Sequence, residues 1–139
     1  MRITLFTVEE ANQALVRLRP ELERLRGRKR DFDRLGTRLD VLQVATSGAA
    51  PGNADAVELR EVSERRRRLG DSLSRAVASL HETGVLVKDL DQGLCDFYAL
   101  AGDRLVFLCW RLGETEVGHW HSLEEGFSGR RPLKNAGLE

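Results

Sequence analysis

The chain has 139 residues, 22 basic and 22 acidic side chains, 41% hydrophobic residues and two cysteines. That length suits one domain with a real core, and the even charge excludes a partner recognised through net charge alone. No apolar run approaches the roughly 20 residues that cross a bilayer, which excludes a membrane-spanning helix.

The opening, MRITLFTVEEANQAL, has no hydrophobic signal core and no small-residue cleavage site. The expectation is a cytoplasmic protein with reduced thiols, because disulfides persist in oxidising compartments. Charge is mildly uneven: residues 1–84 carry 16 basic and 13 acidic groups, and residues 85–139 carry 6 and 9.

The first half is helical. Thr7 and Glu10 stand three apart, as a capping box requires. Apolar residues then fall at Val8, Ala11, Leu15, Leu18, Leu22 and Leu25, and again at Phe32, Leu35, Leu39 and Leu42. Steps that alternate three and four form a coiled-coil-like seam. Pro20 interrupts one hydrogen bond but not the apolar phase, so it predicts a kink rather than an end. A loop covers 46–55, TSGAAPGNAD, and Asp55 with Glu58 offers a second helix start. Leu59, Val62, Leu69, Leu73, Ala76 and Leu80 repeat the spacing, Arg66 takes one seam position, and Gly84 is the stop. Two long helices joined by a short loop predict an antiparallel helical hairpin over 7–83.

The second half changes to period two. Residues 85–89, 93–100, 104–110 and 116–121 predict a four-stranded antiparallel meander, followed by an irregular tail over 122–139. The whole reads as a single α+β domain, residues 1–139.

Register decides which groups of the meander meet. Taking AGD (101–103) as a three-residue loop sets Cys95 across from Cys109. A short turn near Gly113 then sets Phe107 across from Trp120. One face carries Cys95, Phe97, Leu105, Phe107, Cys109 and Trp120 as core, and the other carries Asp96, Tyr98, Trp110, His119 and His121. The cysteines then read as inert core thiols. His119 and His121 point to one side of a strand, and with Asp96 they form a candidate set of ligands for Zn, Fe or Mn. Glu114, at the hairpin tip, is a candidate acid/base. Arg130, in GFSGRRPL, is a candidate partner for an anionic ligand. DLDQG (89–93) lacks the third acidic position, the placed glycine and the closing glutamate of a calcium loop, and reads as a turn. The basic runs RLRGRKR (24–30) and RRRR (65–68) spread around their helices beside Asp31, Asp33, Glu58, Glu61 and Glu64. They predict a salt-bridged arm, and nucleic acid is disfavoured.

The stretches VKDLDQGLCDF, LCWRLGE, WH at 120–121 and EEGFSGRRPL, with the opening TVEEANQALVRLRPELERL, resemble the bacterial domain-of-unknown-function 2203 family. The resemblance implies a small α+β protein with no assigned reaction. It places the family's polar positions on Asp89, Asp96, Cys109, Glu114, His121 and Arg130, with Cys95 and His119 standing where other residue types are expected. The functional expectation is a non-enzymatic interaction or regulatory module. It self-associates or docks a protein partner through the hairpin and has a ligand or metal site on the sheet's polar face. The alternative is a small metal-dependent enzyme with Asp/His ligands.

Overall fold

A computed structural model describes residues 2–136 and Leu138. Two helices, α1 (Val8–Ala45) and α2 (Ala54–Glu82), precede an antiparallel sheet of β1 (Val85–Asp89), β2 (Leu94–Ala101), β3 (Arg104–Arg111), β4 (His119–His121) and β5 (Arg131–Pro132). The strands lie in chain order, β1 to β5.

α1 starts where the capping box predicts: Thr7 Oγ1 accepts from Glu10 N, and Thr7 N donates to Glu10 Oε1. The helix runs on through Pro20. The cap of α2 lies two residues before Asp55: Asn53 accepts from the backbone N–H groups of Asp55 and Ala56. It stops at Gly84, whose φ of 97° suits only glycine. The helices fold back antiparallel, cross-linked by Arg38–Glu58 and by Arg66, whose Nε donates to the Phe32 carbonyl.

Ala11, Leu15, Leu18, Leu22 and Leu25 of α1 pack with Leu73 of α2 on one face of the sheet. Beyond them Leu42, Ala56 and Val62 are buried outside this main core, in the distal half of the hairpin. At 1.5 Å per residue the 38-residue α1 extends about 57 Å, so the hairpin's far half stands clear of the sheet as an arm. Within the basic runs Lys29 pairs with Asp33, and Arg67 and Arg68 with Glu64, as predicted; Arg67 also meets Asp71, and Arg34, outside the runs, meets Asp31.

The sheet departs from expectation in four ways. The loop between β2 and β3 has two residues, not three, so Ala101 pairs with Arg104 and Cys95 pairs with Trp110. Gly102 makes this possible, with φ 66° at the first loop position, as a type II′ turn requires. β4 begins at His119 rather than 116, because the Val117 N–H is taken by the Asn12 side chain of α1 at 2.7 Å. Phe107 therefore pairs with His121, not Trp120. The tail is less irregular than predicted: it forms a single 3₁₀ turn (Phe127–Gly129), the fifth strand and a second 3₁₀ turn (Leu133–Ala136). Gly137 and Glu139 lie outside the described residues.

Candidate metal centre

Side chains alternate along each strand, so the register sorts the sheet into two faces. Cys95, Phe97, Ala99, Val106, Leu108, Trp110 and Trp120 meet the helices. Asp96, Tyr98, Phe107, Cys109, His119 and His121 occupy the opposite, outer face. The two-residue loop turns β3 over relative to expectation. Cys109 leaves the core face and Trp110 enters it, fully buried with its Nε1 donating to the Glu114 carbonyl.

Asp96, Cys109 and His121 converge on the outer face, their ligand atoms within 4.8 Å of one another. All three are buried, at 3%, 0% and 2% exposure. His121 Nε2 lies 3.1 Å from each Asp96 carboxylate oxygen. Its other nitrogen, Nδ1, faces the Ser122 carbonyl at 2.8 Å. Burial pulls the His121 imidazolium down, but hydrogen bonds with Asp96, Cys109 and the Ser122 carbonyl, and the charge of Asp96, outweigh it and raise the group to about 10. On the other face, burial, with Asp96 and Cys109 nearby, pushes the Cys95 thiol up.

The predicted set of Asp96, His119 and His121 is therefore divided. Asp96 and His121 meet, while His119, across from Cys109, turns to Arg130 and Glu114 instead. Cys109 takes its place. The signal that could have found it was Gly102–Asp103, a two-residue Gly-X loop. The Ser122 carbonyl has no sequence signal, being backbone.

Glu114 and Arg130 form a second cluster. Glu114 Oε1 accepts from Arg111 N at 2.8 Å, and Oε2 accepts from Arg130 Nη2 at 2.7 Å. The Arg130 side chain is 10% exposed, and its Nε is buried without a hydrogen-bond partner among the described residues. Phe127 lies against two guanidiniums, Arg111 at 5.0 Å and Arg130 at 4.7 Å. Asp89 does what the turn reading expects: its Oδ1 accepts from the backbone N–H groups of Asp91 and Gln92.

On the outer face a thiol, an imidazole and a carboxylate thus bring their ligand atoms within 4.8 Å of one another. Bonds of about 2.0–2.3 Å at tetrahedral angles set donor atoms about 3.3–3.6 Å apart, close to the His121–Asp96 spacing. The imidazole is also oriented as a ligand usually is, with its second nitrogen held by a carbonyl. The arrangement differs from that of a thiol nucleophile relayed through histidine, which needs thiol and carboxylate on opposite ring nitrogens. Here the carboxylate faces Nε2, and a backbone carbonyl rather than the thiol faces Nδ1.

A family model described as an uncharacterised conserved protein, DUF2203, matches residues 4–133. No curated protein and no solved structure gives a match. The chain thus belongs to the DUF2203 family of uncharacterised conserved proteins.

Proposed function

We propose that this protein is a metal-binding interaction module whose ion is held by Asp96, Cys109 and His121. The convergence of three buried ligand groups carries this reading. A thiolate beside imidazole and carboxylate favours zinc over iron or manganese, which the Asp/His set alone would suit equally. The space at Nε2 holds either a proton shared with Asp96 or an ion, so metal and proton compete for it. The buried ligands and the absence of a nucleophile relay among the described residues favour a structural or regulatory ion over a catalytic one.

The test is elemental analysis of the purified, tag-free chain, followed by cobalt titration. The expected result is near one equivalent of zinc, and a near-ultraviolet thiolate-to-cobalt band that Cys109→Ser removes and Cys95→Ser leaves. Lack of uptake after incubation with either ion overturns the reading.

The helical arm supplies the interaction half. It projects past the sheet and carries Val41 and Val44 at 53% and 80% exposure near its tip. Apolar groups so placed suit packing against the arm of a second copy of the chain.

A further inference from the structure

Residues 122–130 link β4 to β5 across the outer face, and none of them is fully buried or joins the hydrophobic core. They are held instead by polar and cation–π contacts. Arg130 grips Glu114 and His119, Phe127 lies on Arg111 and Arg130, and the Ser122 hydroxyl donates to Glu125 at 3.0 Å. Contacts of this kind near a surface are individually weak, and the buried Arg130 Nε lacks a partner among the described residues. Local opening concentrates in segments without apolar anchoring.

This segment sits beside the metal ligands. On its face Cys109 lies across from Asp96 and His119, between Phe107 and Arg111 along β3, and close to His121. Arg111 and His119 are the ones the segment holds. Its first residue, Ser122, supplies the carbonyl that fixes the His121 ring.

We propose that residues 122–130 form a strap that opens independently of the rest of the fold and gates the Asp96–Cys109–His121 site, with Glu114–Arg130–His119 as its latch. Opening uncovers the Cys109 thiol and removes the Ser122 acceptor, so ion entry and release follow the strap. The gate's functional meaning rests on the metal reading; the gate itself does not.

The two cysteines supply the experiment, because they lie on opposite faces. Cys95 is under the helices and reacts only on global unfolding, whereas Cys109 reacts whenever the strap lifts. The metal-free full chain is labelled with iodoacetamide under native conditions, and each thiol is followed by peptide mass spectrometry. Cys109 is expected to react faster than Cys95. Arg130→Ala is expected to raise the Cys109 rate about tenfold with Cys95 unchanged. Gly129→Ala is expected to act in the same direction without touching the latch, because the new Cβ would stand 2.8 Å from Glu125 Cβ. Cys95 also reports any variant that simply unfolds. Thiols that react in step in the parent and both variants overturn the strap. In the zinc-loaded protein, both variants are expected to release zinc faster to a chromophoric chelator. Zinc held by a chain whose thiols react in step overturns the gate alone. A gated thiol in a chain that takes up no zinc supports the strap and overturns the metal reading alone.

Discussion

His121 Nε2 stands 3.1 Å from both carboxylate oxygens of Asp96, while Nδ1 faces the Ser122 carbonyl at 2.8 Å. Both partners only accept, so the metal-free ring satisfies them by carrying a proton on each nitrogen. Its folded-state value is raised from 6.5 to about 10. A raised value means that the stabilisation is complete below about pH 6.5 and is lost as pH climbs through about 10. Denaturation of the metal-free protein at steps between these limits is expected to show falling stability. His121→Gln is expected to flatten that slope.

Asp96→Asn keeps the shape and removes the charge that answers the imidazolium. Breaking a buried pair from one side leaves the other charge uncompensated, which costs about 3 kcal/mol. Urea unfolding at neutral pH is expected to show a loss of that order, together with loss of zinc uptake. A change of only a few tenths would mean that the pair contributes little to the metal-free fold.

Two glycines separate backbone strain from crowding. Gly93 and Gly102 have φ of 64° and 66°, but a Cβ at Gly93 would lie 2.5 Å from Leu112 Cβ, whereas one at Gly102 meets nothing within 4 Å among the described residues. Gly102→Ala is expected to cost about 1 kcal/mol from strain alone, and Gly93→Ala clearly more. Thermal or urea unfolding of the two variants side by side checks the order.

Val44→Asp tests the arm. At 80% exposure the valine contributes little to the monomer, so stability is expected to stay within about 0.5 kcal/mol. If arms of two chains pack together, light scattering will show a dimer for the parent and a monomer for the variant. A parent that is a monomer at high concentration would remove the self-association reading.

Much of the fold was legible because its signals are local. The capping box at Thr7, the three-four spacing, the stop at Gly84 and the Asp89 turn each depend on a few neighbouring residues. The sheet faces were harder, because a one-residue slip turns a whole strand over. Reading 101–103 as a three-residue loop puts Cys109 in the core and Trp110 outside, whereas Ala101 belongs to the ladder. A second slip, at the next turn, reversed the first, so His119 and His121 were still placed on the Asp96 face. His119 was then parted from the others by Arg130, eleven residues along the chain, and no spacing rule encodes that contact. The fifth strand was missed because two residues, one of them Pro132, carry no period.

The sheet in chain order has two outer strands, and each is guarded against a foreign strand. On β1 the Val87 N–H is spent on His81 Nε2, and Lys88 adds a charge. On β5 Pro132 offers no donor at all. A cross-β template needs a row of free ladder groups, and these rims interrupt it. Crowding this protein to high concentration should therefore favour contacts between helices over the strand-to-strand growth that seeds fibrils.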